Sequence, residues 1–270
     1  MMQGRLSPIK GGRIQSFPWQ NWKQELKLMK TIGISKLEWT IDLWHFYKNP
    51  IIKNPVNVAR VCKSAKIKIT SVTSDAHMHG NFWTERSIQK NKRKLDKLTV
   101  NLIRGMNICG IRYLIIPLVD ESSIENDKTL KNVRNYFIGL LKELEDAQVN
   151  VLFESDMSPS LLGSFIKQFP SNYFGINYDI GNSASLGYNP DEEFANYGKH
   201  IKNVHIKDRP LNGGSCFLGS GDADFEAVVR NLREINYLGD FVMQTARSMS
   251  GDHLSVLQEQ IEFWRNKWDY

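Results

Sequence analysis

The feature that most limits the fold of this chain is an alternation. Short β-branched or apolar runs at residues 3–6, 36–40, 66–74, 111–118, 150–154, 174–179, 201–207 and 240–244 are separated by stretches of helical periodicity. Strands alternating with helices predict βαβ units and a parallel sheet. Leu130, Val133, Phe137, Leu140, Leu141 and Leu144 recur at intervals of three and four, as one buried helix face requires. Phe225, Val228, Val229, Leu232 and Ile235 do the same, with Asp222 or Asp224 available as N-cap. The last stripe, Leu254, Leu257, Ile261, Trp264 and Trp268, predicts a helix packed on a barrel wall. Eight units in 270 residues are about 34 residues each, the scale of a (β/α)8 barrel. A doubly wound sheet would want a glycine-rich phosphate loop after the first strand, and SPIKGGRIQSFPW has no GxGxxG. The expectation is an α/β chain folding as a single (β/α)8 TIM-barrel domain over residues 1–270.

Composition narrows the setting. The start, MMQGRLSPIKGGR, lacks an apolar signal core, and no run of about 18 apolar residues occurs. Cys62, Cys109 and Cys216 are odd in number and unrelated in spacing, which reads as reduced thiols. These features predict a cytoplasmic protein with no membrane partner. The net charge of +6 has a local source: residues 53–104 hold 12 Lys/Arg against 3 Asp/Glu. Nucleic acid is one reading of such a stretch. In a barrel it maps to the outer helices, so Arg86, Lys90, Lys92, Arg93, Lys94 and Lys97 are expected to face solvent or a second copy in a homo-oligomer.

Active sites of such barrels sit at the C-terminal ends of the strands. Polar residues end several of the runs here: Glu38, Asp75, Glu154, Asp179, His205 and Gln244. A carboxylate or imidazole ending an apolar strand is costly unless paired or metal-bound. Glu154, Asp179, His205 and Gln244 come from consecutive strands and would converge. Two carboxylates, one imidazole and one amide oxygen suit one divalent ion, Mn, Mg, Co or Zn. Four unrelated polar residues at loop starts is the alternative that spacing alone leaves open.

The segments Phe153-Glu154, Tyr178-Asp179-Ile180-Gly181-Asn182, Val204-His205-Ile206-Lys207-Asp208, and Gly219-Ser220-Gly221 leading to Asp224-Phe225 carry a resemblance. In that order they resemble the xylose-isomerase-like TIM-barrel superfamily of sugar phosphate isomerases and epimerases, ketose 3-epimerases, inosose dehydratases and endonuclease IV. The resemblance implies that Glu154, Asp179 and His205 ligate one metal with a fourth ligand from the last strand. It also implies two glutamates, on the fifth and eighth strands, acting on opposite faces of an enediolate. This chain departs at the last strand, where Gln244 stands in place of Glu and cannot exchange a proton near neutral pH.

The implied activity is a divalent-metal-dependent sugar or sugar phosphate isomerase or epimerase working through a metal-stabilised enediolate. Glu154 is the expected base, and the second proton would come from Lys207, His77, Asp75 or Glu38, or from a one-base reaction. Lys207 could instead hold a substrate oxyanion, helped by Arg209 and Arg247, or pair with Asp208 or a neighbouring carboxylate. Glu38, Asp75, His77, Trp19, Arg209 and Arg247 are the expected substrate contacts. Aromatics after the first three strands, Phe17, Trp19, Trp39, Trp44, Phe82 and Trp83, offer sugar-packing faces or loop anchors. Gly219-Ser220-Gly221 before a helix is a phosphate turn or a plain tight turn. Three alternatives stay in view. A keto-inositol dehydratase-like lyase shares the enolate step. An endonuclease IV-like phosphodiesterase is disfavoured because six histidines, none near Asp179, cannot fill three metal sites. A non-catalytic sugar-binding barrel is the third.

Overall fold

In a computed structural model, which describes residues 1–9, 11–12 and 14–269, seven strands pair in parallel in sequence order. They are β1 (Lys36–Thr40), β2 (Lys68–Thr73), β3 (Tyr113–Leu118), β4 (Asn150–Ser155), β5 (Phe174–Asp179), β6 (Ile201–Ile206) and β7 (Asp240–Met243). The eighth stave is the start of the chain. Met2 N donates to Met243 O at 3.1 Å, Gln3 N to Glu38 O at 2.8 Å, and Glu38 N to Met1 O at 2.9 Å, which joins β7 to β1. The protein is an α/β barrel with helices around it.

This stave corrects the expected strand at 3–6. Pairing falls on residues 1–3, and residues 4–7 form a turn. Gly4 has φ +92°, and a Cβ there would lie 2.8 Å from Ser16 O. The N–H groups of Gly4 and Leu6 both donate to the buried Glu25 carboxylate at 2.9 Å instead of to a strand. A second difference lies at residues 130–144, expected as one helix. Two helices form, Asp127–Ile138 and Leu141–Ala147. The buried stripe of Leu130, Val133, Phe137 and Leu144 runs on through the break.

Other helices begin and end where side chains cap them. Thr84 accepts from Ser87 N at the start of Glu85–Cys109, and Gly110 ends that helix at φ +66°. Asp224, one of the two expected caps, accepts from Ala227 N at 2.9 Å. Arg86, Lys90, Lys92, Arg93, Lys94 and Lys97 are all exposed on Glu85–Cys109. Trp264 and Trp268 of the last helix pack on Phe241 of β7, at 5.1 and 4.6 Å. No helix is long and apolar enough to cross a membrane. The three cysteines are free thiols.

Strand alternation sorts the side chains into two layers. Outward residues pack under the helices: Phe153 lies 5.4 Å from Phe137, 5.2 Å from Phe165 and 5.1 Å from Phe169. Phe153→Ala, with no room for its neighbours to collapse, is expected to cost about 3–5 kcal/mol in urea unfolding. The inward layer holds a polar set. Glu38, Ser71, Thr73, Asn177, Asn203 and His205 are at most 2% exposed, and they are bonded to one another across the barrel centre.

Candidate active site at the mouth of the barrel

Glu38 and His205 form the axle of this interior. Glu38 Oε1 accepts from His205 Nε2 at 2.8 Å and Thr73 Oγ1 at 2.5 Å; Oε2 accepts from Ser71 Oγ at 2.7 Å and Asn203 Nδ2 at 3.2 Å. Burial works to raise the Glu38 pKa, but the His205 charge and these donors outweigh it and hold it down. Burial likewise works to lower that of His205, and Glu38, Asp179 and Glu154 together hold it well above the usual imidazole range. With Nε2 tied to Glu38, Nδ1 points at the strand ends, 3.2 Å from Glu154 Oε2 and 3.7 Å from Asp179 Oδ2.

Glu154, Asp179 and His205 are buried, and each offers a ligand atom within 4.8 Å of the others. Both Glu154 oxygens are steered. Asn177 Nδ2 donates to Oε2 at 2.8 Å, and Asn182 Nδ2 donates to Oε1 at 2.9 Å. Asp179 caps the helix Ile180–Leu186, accepting from Asn182 N at 2.8 Å. Burial opposes its ionisation, but Lys207, His205 and the Asn182 N–H hold its pKa below the ordinary value.

Lys207 Nζ reaches Asp179 Oδ2 at 3.2 Å and Asn182 Oδ1 at 2.9 Å. Its stem lies over Gly181, where a Cβ would come within 2.6 Å of Lys207 Cγ. Arg209 Nη1 meets the same Asn182 oxygen at 2.9 Å. Of the readings open for Lys207, the pairing is with Asp179 and not with Asp208. Asp208 has its own role, accepting from Gly219 N, Gly221 N and Ala223 N at 2.8, 3.0 and 3.2 Å. Of the two readings of this turn, the plain tight turn holds: its N–H groups are filled by the chain's own carboxylate. Gly221 is required there, because a Cβ would stand 2.2 Å from Asp208 Oδ1.

Gln244 follows β7, next to β6, and its backbone N donates to Ile206 O at 3.0 Å. Its Nε2 donates to Gln15 Oε1 at 3.0 Å, while Gln15 Nε2 donates to both Asp75 oxygens at 2.9 Å. That bond turns the Gln244 oxygen away from Gln15. Oε1 is buried and has no hydrogen-bond partner among the described residues. Together these walls enclose a cavity of about 300 Å³, lined by Glu154, Lys207, Arg209, Gln244, Asp75, Gln15, Asn182 and Arg5, at the small end of ligand pockets.

Four expected substrate contacts are placed elsewhere. Glu38 is below the cavity floor, fully buried in the axle just described. His77 is fully buried: Nδ1 bonds Ser74 Oγ at 2.7 Å, Nε2 bonds Thr99 Oγ1 at 2.9 Å, and the ring stacks on Trp83. Burial alone pushes its pKa down to about 3, so it stays neutral in the core. Trp19 packs edge-on against Phe17 at 4.9 Å, outside the cavity lining. Arg247 is buried and bonds Ser7 O, also outside the lining. Phe17, Trp39, Phe82 and Trp83 are core residues at 1% exposure or less. Trp44 is 69% exposed and lines a hollow that shares Gln15 and Asp75 with the cavity.

Arg5, Gln15, Asn177 and Asn182 line the cavity or bond the residues there, and the strand-end rule does not find them. Asn177 and Asn182 had a signal. One is two residues before Asp179, on the same strand face, and the other is at its capping position. Gln15 lies in a loop with no periodicity and had none.

Comparison with known proteins agrees with this architecture. The chain is 22% identical over 245 residues to L-ribulose-5-phosphate 3-epimerase UlaE of Escherichia coli O1:K1 / APEC, covering 83% of this chain and 81% of that one. It superposes on the IOLI protein, solved with a zinc atom bound, at TM-score 0.74 with 16% identity over 92% of this chain and 94% of that one. L-ribulose 3-epimerase superposes at TM-score 0.72, with 14% identity over 93% and 90%. At these identities the superpositions establish the fold. The family model described as xylose isomerase-like TIM barrel matches residues 26–267, and with that span covering the whole array of strands from β1 to β7, the chain belongs to this family.

Proposed function

We propose that the protein is a divalent-metal-dependent epimerase or isomerase of a sugar or sugar phosphate. The observation that carries this reading is the convergence of Glu154, Asp179 and His205 Nδ1, with a buried, unpartnered Gln244 oxygen among the residues lining the same cavity as Glu154. The donor set fits the group. One imidazole nitrogen, which would give up its proton to take an ion, two carboxylates and an amide oxygen suit Mn²⁺, Mg²⁺, Co²⁺ or Zn²⁺, and the two carboxylates balance its charge. Glu38 behind His205 is the outer carboxylate that fixes a ligating ring. A bound ion would supply Lewis acidity toward the oxygens of a hydroxyketone, lowering the cost of an enediolate.

The chain's own residues do the rest. Glu154, held at both oxygens by Asn177 and Asn182, removes the proton next to the carbonyl. Lys207 and Arg209 place positive charge over the growing oxyanion. A lyase of the keto-inositol dehydratase kind is the second reading, favoured by one observation: the neutral Gln244 leaves this end of the barrel without a second glutamate. Equilibrium dialysis with Mn²⁺ is expected to give one ion per chain, removed by chelator. Screening ketoses, keto-inositols and their phosphates in heavy water with Mn²⁺ is expected to show deuterium at the α-carbon of the recovered sugar. Loss of water from the product would select the lyase, and no exchange with any of them would overturn both readings.

A further inference from the structure

We propose that Asp75 is the proton donor on the face of the substrate opposite Glu154. This rests on the enediolate reading above and supplies the second acid that Gln244 cannot be. Of the four groups open for this role in the sequence, three are committed elsewhere. Glu38 has no exposed surface and four donors on its carboxylate. His77 is buried with both ring nitrogens bonded. Lys207 is bound to Asp179 and Asn182, on the same wall as Glu154. Asp75 alone of the four lines the cavity without joining the Glu154–Asn182–Lys207 network; it is bonded to Gln15, which in turn accepts from Gln244.

The setting of Asp75 suits an acid. It follows β2 and is only 5% exposed. Gln15 Nε2 donates to both oxygens, which fixes the plane of the carboxyl. Burial, then the charges of Asp42 and Glu154, push its pKa up to about 8, against the pull of Gln15 and Arg5. Asp42, Arg5 and Glu154 are the charged groups around it, and His79 lines the same cavity.

The proton balance closes. The Glu154 carboxylate takes the C–H proton and the bonding pair passes into the enediolate. The Asp75 O–H then protonates the same carbon from the other side. The carbon is inverted, Glu154 is left as the acid and Asp75 as the carboxylate. Proton exchange with water restores both, and the reverse reaction uses each in the opposite role.

The test separates exchange from inversion. L-ribulose, D-psicose, D-tagatose and L-ribulose 5-phosphate serve as probes in heavy water with Mn²⁺, for wild type, Asp75→Asn and Glu154→Gln, with Mn²⁺ binding measured on each. Asp75→Asn is expected to keep Mn²⁺ affinity and α-carbon deuteration of recovered substrate, while inversion falls at least about 100-fold. Glu154→Gln is expected to lose both deuteration and inversion while still binding Mn²⁺. Inversion by Asp75→Asn at the wild-type rate overturns the assignment. So does loss of deuteration together with inversion in a variant that still binds Mn²⁺. Asp75→Ser repeats the comparison without an amide against Gln15, and the same outcomes decide. No deuteration by wild type on any probe overturns the enediolate reading itself, and this assignment with it.

Discussion

Replacing Glu154 with glutamine is expected to lower solvent-hydrogen exchange into the substrate by about 10²–10⁴-fold, the range attributable to a positioned general base. Glutamine keeps one amide oxygen for the ion and one of the two Asn donors, but its Nε2 then faces the other Asn Nδ2 with no acceptor between them, so one hydrogen bond is lost. Metal analysis of the variant should therefore still find one ion per chain, with weaker affinity from the lost charge. Exchange at the wild-type rate in Glu154→Gln would remove Glu154 from the base role.

The second large effect is expected one layer down, at Glu38. It touches nothing in the cavity, yet it holds Nε2 of His205 and answers Ser71, Thr73 and Asn203. Glu38→Ala leaves a buried imidazolium and three donors without their acceptor. Breaking a buried pair from one side costs about 3–5 kcal/mol, to be read as a lower urea midpoint in metal-free protein. The His205 ring also loses its fixed orientation, so Mn²⁺ affinity should drop about 10–100-fold by calorimetric titration. Glu38→Gln, which keeps an acceptor oxygen for the ring, should lose less of both. A stable Glu38→Ala protein with unchanged affinity would show that His205 needs no partner.

Much of this site was legible because barrel chemistry follows a simple rule. Polar residues at the ends of apolar strands are expensive, so Glu154, Asp179 and His205 stood out, and the parallel order of the strands brought them together. The same rule misled at Glu38. It lies in the middle of β1, one layer below the mouth, and the apolar run around it looks the same in sequence whether the carboxylate faces ligand or a buried imidazole. His77 and Trp19 failed for a related reason. Loop residues have no periodicity to say which way they point, and His77 turned inward to stack on Trp83. The first strand was misplaced because Gly4 and Leu6 give their N–H groups to Glu25, a contact 19 to 21 residues away. Gln15, which orients both Asp75 and Gln244, lies 60 and 229 residues from them, a distance no local pattern reports.

The polar lining of the barrel has one more consequence, for how such a chain can be divided. Glu38, Ser71 and Thr73 come from the first two strands; Asn177, Asn203 and His205 come from the fifth and sixth. Each set supplies what the other lacks, with Glu38 and His205 separated by 167 residues. A greasy interior would let either half of the barrel close on whatever apolar surface it met. Here a half-barrel would have to dry a charge with no counterpart, so neither half is a self-sufficient fragment, and two halves from unrelated barrels would not mate. The ring is indivisible for the same reason that its imidazole is well aimed.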